Sequence, residues 1–238
     1  MRRRFFVEQF EGQRAVVEGH KAHHLGVVLR AQAGQFYELS DGARVCLGRI
    51  EKVARDRVEF ALLEELPANE PKLRVTLLLS VVKFDSFEWA IEKATELGVT
   101  SIVPLAAERG EKGLLAAAEK RSERWRKLIL EAAQQSRRVR LPVLEPVARP
   151  ESAFLIGEER LGIFLSERAD APPLRQVLKD TAATDVVLAI GPEGGWTDAE
   201  VEMARAAGFR SASLGHVILR AETAVIAALA SLSYALEP

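Results

Sequence analysis

The chain has 238 residues, 48% of them hydrophobic, which is enough for a sizeable core and long for a single domain. Its formal charge of −1 excludes an overall basic field, so a nucleic-acid partner has to be met by a local patch. The single cysteine, Cys46, excludes an internal disulfide, and the apolar stretch "AVIAALASLSYAL" falls short of the roughly 20 residues that a membrane helix needs.

The first residues, "MRRRFFVEQF", have the basic lead of a signal peptide without an apolar segment behind it, so a cytoplasmic protein is expected. The runs "RFFVE", "RAVVE", "QFYEL", "RVCLGRI" and "RVEFALL" follow as short strands, separated by turn signals at Glu11-Gly12 and Asp41-Gly42. One helical interruption falls at "HKAHHLGVVLR". This pattern predicts a small β-barrel domain over residues 1–69. His20 and His24 have the spacing of a helical zinc pair, but no H-E-x-x-H pattern or further ligand cluster accompanies them, so no metal is expected. Cys46 falls within an apolar strand and is expected to be buried and inert.

The chain changes character at "LPANEPK", and residues 70–238 alternate apolar runs with helices. "RVTLLLSVV", "VTSIVPL", "GIFLS", "DVVLAI" and "SASLG" read as strands, and "DSFEWAIEKATELG" and "ERWRKLILEAAQQS" as helices. Such alternation predicts an α/β domain with a mostly parallel sheet. Asp85 with Glu88, and Thr197 with Glu200, have capping-box spacing, while Gly98 and Gly208 sit where glycines stop helices. Phe87, Ala90, Ile91, Ala94 and Leu97 form one apolar stripe; Trp125, Leu128, Ile129, Ala132 and Ala133 form another, and the tryptophans are expected in the core.

Basic residues cluster in "EKRSERWRKL" and "SRRVR", where Lys120, Arg121, Arg124, Arg126, Lys127, Arg137, Arg138 and Arg140 are broken by few acids. The span reads either as a phosphate-binding surface or as a solvated helix face. "IGPEGGWTDAE", residues 190–200, places a glycine-rich turn between a strand end and a helix start, where ligands bind in open α/β sheets. It matches neither the dinucleotide nor the Walker pattern, and Glu193 would repel phosphate; a cationic or polar, uncharged ligand suits it better.

"LGHVILRAETAVIAAL" at 214–229, with "IGPEGGWTDAE", "EWAIEKATELGVTSIVPL", "EAAQQSRRVRLP" and "HHLGVVLR", resembles the RsmE-type family of ribosomal RNA uridine N3-methyltransferases in the SPOUT superfamily. The resemblance covers nearly the whole chain. It implies a PUA-like RNA-binding β-barrel followed by an α/β domain with a deep trefoil knot, S-adenosylmethionine as cofactor, a homodimer, and 16S ribosomal RNA or the small ribosomal subunit as partner. Nothing in the periodicity points to a knot. The family's cofactor segments map onto Leu165 and Ser166, onto Gly191, Pro192, Glu193, Gly194 and Gly195, and onto 214–219, within which Leu214, Gly215, Ile218 and Leu219 stand out. Glu193 reads as a polar anchor or as a loop-stabilising carboxylate.

For the chemistry, Arg138 in the family-matching "QQSRRVR" and Arg220 beside "AETA" are candidate cationic donors to the uracil oxygens, with a phosphate grip as the alternative for Arg138; Glu222 is a candidate base, a group orienting Arg220, or simply a helix N-terminal acid. For RNA contact the resemblance points to His24 and Arg30, with His23 in the same motif, while local charge points to Lys120, Arg121, Arg124, Lys127, Arg137 and Arg140, with Arg2, Arg3, Arg4 and Arg30 extending the surface. Phe84, Gln134 and Arg137 depart from common family residues. Two other functions stay open: a SPOUT methyltransferase directed to a ribose 2′-oxygen or guanine nitrogen, and a non-catalytic RNA-binding assembly factor.

Overall fold

In the computed structural model, residues 4–157 and 160–237 are described, the side chain of His20 excepted. Arg2 and Arg3 lie outside the described residues. The first elements are β1 (Arg4–Phe6), β2 (Phe10–Glu11), β3 (Arg14–Glu18), α1 (Gly19–His23), a π-helical turn (His24–Val28), β4 (Phe36–Ser40), β5 (Val45–Val53) and β6 (Arg57–Leu66). Then come β7 (Arg74–Ser80), α2 (Phe84–Glu96), β8 (Ser101–Leu105), α3 (Lys112–Gln135), β9 (Val143–Leu144), α4 (Pro150–Ala153) and β10 (Leu161–Leu165). The last are α5 (Leu174–Val177), β11 (Asp185–Ile190), α6 (Asp198–Ala206), β12 (Arg210–Ala212) and α7 (Ala221–Leu236).

Contacts divide these elements into two units, residues 1–70 with 133–141, and residues 71–132 with 142–238. In the first unit the strands pair in the order β1-β4-β5-β6-β3-β2, all antiparallel except the parallel β1–β4 pair. Gly12 and Gly42, at the two expected turns, adopt φ of +59° and +87°, which a side chain would resist. Inward residues of alternating strands, among them Phe5, Val17, Leu39, Ile50, Val58 and Phe60, close one core.

The second unit is a six-stranded, all-parallel sheet in the order β12-β10-β11-β7-β8-β9. β7 and β11 at its middle are buried along nearly their whole length, as a sheet covered on both faces requires. Alternation along β7 sends Leu77 and Leu79 to one core with α2, α3 and α7, and Leu78 to a second core with Trp196 and α6.

The structure departs from several sequence expectations. Asp85 and Glu88 form no capping box: α2 starts at Phe84, its Lys83 cap makes no side-chain bond, and Glu88 turns inward to Arg121 and Arg124. Leu97 lies past the end of α2 and is 37% exposed, and Trp89 is 46% exposed; Trp125 and Trp196 are buried. Helix α3 begins well before the predicted "ERWRKL" segment.

Candidate active site

A parallel sheet gathers the ends of its strands at one edge, and three predicted segments meet there for that reason. β10 pairs with β11 on one side and β12 on the other, so Leu165 and Ser166, the turn after Ile190, and the loop after Ala212 leave three adjacent strands at the same carboxyl edge. Ser166 N–H donates to the Ala212 carbonyl at 2.9 Å, and the Trp196 indole N–H donates to the Leu165 carbonyl at 3.0 Å. The predicted capping box at Thr197 and Glu200 is complete and anchors α6 beneath the glycine turn.

The glycines have distinct duties. Only Gly195 of the three in the turn takes a positive φ, +68°. A Cβ on Gly191 would lie 2.8 Å from the Trp196 indole, so this glycine is required by close packing. Gly195 N–H closes the turn on the Pro192 carbonyl at 2.9 Å. The N–H groups of Glu193, Gly194 and residues 216–219 bond to nothing among the described residues. Glu193 is exposed, and in the third segment Val217 and Ile218 are 73% and 78% exposed while Leu214 and Leu219 are half-buried. Backbone donors and bare apolar side chains therefore share one edge.

Arg220 is exposed at the start of α7, whereas Glu222 in its first turn is only 6% exposed. No ion pair joins the two, so the expected orientation of Arg220 by Glu222 is not made. Indeed the Glu222 carboxylate has no ion pair or hydrogen bond among the described residues, its compensation being the helix N-terminus. With no side-chain or backbone partner to satisfy among the described residues, this carboxylate is available as a proton acceptor.

Arg138 belongs to the first unit. Arg137 takes the left-handed conformation just past α3, with φ of +57°, and Arg138 N–H returns to the Ala133 carbonyl at 3.0 Å, a Schellman-type helix stop. Both neighbours of Arg138 are strapped to β4: Arg137 to Glu38 by an ion pair, and Val139 through its carbonyl to the Ser40 hydroxyl at 2.6 Å. Arg138 itself is half-buried, and burial lowers its pKa to about 10, with Glu70 acting in the opposite direction. It remains a cation at neutral pH.

The basic span is less free than its composition suggests. Arg121 and Arg124 reach the buried Glu88 at 3.0 and 2.8 Å, Arg140 reaches Glu70 at 2.8 Å, and Arg126 reaches Glu123 at 3.0 Å. Arg4, expected on the surface, is 6% exposed and pairs with Glu38 at 2.9 Å, because one buried carboxylate serves both it and Arg137. Lys120 and Lys127 stay exposed without such partners, as do His23, His24 and Arg30 in the first unit. A cavity of ≈ 520 Å³ is lined by Gln176, Lys179, Arg205 and Arg210 among others, and contains none of the predicted cofactor residues. No group of three or more metal-ligating side chains occurs among the described residues.

A family model described as an RNA methyltransferase domain matches residues 69–233. The ribosomal RNA small subunit methyltransferase E of Synechocystis sp. is 40% identical over 223 residues, covering 90% of this chain and 71% of that one. The chain belongs to the ribosomal RNA small subunit methyltransferase E family. Two solved structures resemble it over 99% of its length and 98% of theirs, each at 30% identity. One is the family enzyme of Neisseria gonorrhoeae bound to S-adenosyl methionine, with a TM-score of 0.89. The other is a Legionella pneumophila methyltransferase in complex with the same cofactor, with a TM-score of 0.87. The loop after β8, whose Arg109 donates to the Gly194 carbonyl, carried no signal in the sequence.

Proposed function

We propose that the chain is an S-adenosylmethionine-dependent methyltransferase that modifies N3 of a specific uridine in 16S ribosomal RNA. The observation that carries the reading is the convergence of 165–166, 191–195 and 214–219 at one sheet edge, in a chain of this family. The residues present fit the cofactor: unbonded N–H groups at Glu193, Gly194 and 216–219 suit the polar edges of an adenine and a methionine, and Val217 and Ile218 suit the faces of a ring. Leu165, Ser166, Gly191, Pro192, Gly195, Leu214, Gly215 and Leu219 complete those segments. When bound, S-adenosylmethionine supplies an electrophilic sulfonium methyl.

The chain's own residues supply alignment and proton handling. The rigid loops hold the reactants in line, which provides much of the rate. Glu222 takes the N3 proton, and Arg220 and Arg138 place positive charge against the uracil oxygens as the anion develops. The partly desolvated guanidinium of Arg138 is more effective in that duty than a fully solvated one. His24, Arg30, Lys120 and Lys127 form the RNA-gripping set, with Arg121, Arg124, Arg137 and Arg140 contributing less because carboxylates already engage them.

The finer architecture belongs to the same reading: residues 1–69 as a PUA-like barrel, 70–238 as a SPOUT domain with a trefoil knot, and a homodimer. Exposed Val217 and Ile218 support a second copy packing near the third segment. Among the described residues no helix is long and apolar enough to cross a membrane, and an RNA substrate supports a cytoplasmic setting. The test is titration of the chain with S-adenosylmethionine by calorimetry, beside the Gly194→Val variant. Binding by the wild type and loss in the variant is expected; equal affinity removes the assignment of the glycine turn.

A further inference from the structure

The strand β8 ends at Leu105, and the residues that follow, Ala106 to Gly110, belong to none of the three segments above. They nevertheless reach the glycine turn by one bond and the capping box of α6 behind it by another. The Glu108 N–H donates to Oε1 of Glu200 at 2.9 Å, while Oε2 of the same carboxylate accepts from the Thr197 N–H. Arg109 donates from Nη1 to the Gly194 carbonyl at 3.0 Å, and its side chain runs along Gly194 closely enough that a Cβ there would stand 3.3 Å from the Arg109 Cβ.

The peptide joining Gly194 to Gly195 is thereby held at both polar ends. Its carbonyl is fixed by Arg109, and its N–H by the Pro192 carbonyl at 2.9 Å. Inside the same turn are the unbonded N–H groups of Glu193 and Gly194. Two adjacent glycines would otherwise leave this turn among many conformations, and a ligand would have to bear the cost of ordering it.

We propose that Arg109 is a positioning residue that preorganises the Pro192–Gly195 turn for S-adenosylmethionine. This rests on the cofactor reading above. Arg109 is exposed, and its guanidinium has no carboxylate partner among the described residues, so its removal should spare the fold. A charged donor on a neutral carbonyl, discounted for solvent exposure, implies a moderate effect.

The test compares wild type, Arg109→Ala and Arg109→Lys by calorimetric titration with S-adenosylmethionine, steady-state methylation, RNA binding and thermal unfolding. Arg109→Ala should weaken cofactor affinity and raise its KM by about 3- to 10-fold. It should keep kcat at saturating cofactor, RNA affinity and Tm, and Arg109→Lys, whose ammonium can still reach the Gly194 carbonyl, should recover part of the loss. Unchanged cofactor affinity in Arg109→Ala overturns the proposal, and so does weakened RNA binding with normal cofactor affinity, which would make Arg109 a phosphate contact. A wild-type chain that binds no S-adenosylmethionine sinks the cofactor reading itself and this proposal with it.

Discussion

Replacing Gly191 by alanine adds one methyl group at the point where the structure has least room for it. The new Cβ would stand 2.8 Å from both Nε1 and Cε2 of Trp196, well inside contact distance. The indole has little freedom to retreat: Phe164 stacks on it with centroids 4.6 Å apart, and Phe154 meets it at 6.0 Å. Moving it also strains the 3.0 Å bond from Nε1 to the Leu165 carbonyl. Overpacking of this kind costs about 1–3 kcal/mol and a lost buried hydrogen bond about 1 kcal/mol, so Gly191→Ala should destabilise by roughly 2–4 kcal/mol. At this chain length that is a fall in Tm of roughly 5–15 °C. Gly194→Ala, whose Cβ meets side-chain atoms and the carbonyl of Arg109 at 3.3–3.7 Å, should lose far less, and Gly195→Ala should fall between because of its positive φ. Thermal unfolding of the three variants, with cofactor titration of each, checks the order. A Gly191→Ala variant as stable as wild type would refute the packing argument.

Arg138→Ala should lower single-turnover methylation by on the order of 100-fold at saturating RNA and cofactor, with RNA affinity nearly unchanged; equal losses in both would make Arg138 a grip on phosphate. Lys127→Ala should weaken RNA binding and reduce its salt dependence by about one phosphate contact, seen as a slope in titrations at several salt concentrations. Arg124→Ala, by contrast, should lower stability by about 1 kcal/mol through Glu88 and leave RNA affinity largely intact, a split that unfolding and binding measured together would expose. Burial, reinforced by Glu65, pushes the Cys46 thiol above its ordinary range, so maleimide labelling at pH 8 should be slow in the native chain and rapid after denaturation. Rapid native labelling would place Cys46 at the surface.

Periodicity made the second unit legible because a parallel sheet covered on both faces writes its strands as continuous apolar runs, as in "DVVLAI" and "RVTLLLS". Thr197 and Glu200 were readable because capping is local; Asp85 and Glu88 have the same spacing, yet a nonlocal pull from Arg121 and Arg124 took Glu88 inward. The two-residue β2 and β9 were too short to show a period. The pairing that gives Glu38 both Arg4 and Arg137 spans 34 and 99 residues of sequence, and composition alone presented those arginines as surface charge. Of the candidate site, the glycine turn was visible from its own residues, and the other two proposed cofactor segments through family resemblance. Arg109 was not, because its partner is a backbone carbonyl, which leaves no trace in side-chain pattern.

The central claim is the identity of the methylated atom, and one measurement reaches it directly. Small-subunit ribosomal RNA lacking the modification, presented free and within assembled subunits, is incubated with the chain and isotopically labelled S-adenosylmethionine, then digested to nucleosides and resolved by mass spectrometry. Label is expected in N3-methyluridine at a single position, lowered by on the order of 100-fold in Arg138→Ala and strongly lowered in Glu222→Gln at matched early times. Label on a ribose 2′-oxygen or a guanine nitrogen would contradict the uridine assignment, and the absence of transfer to either substrate would contradict the enzyme.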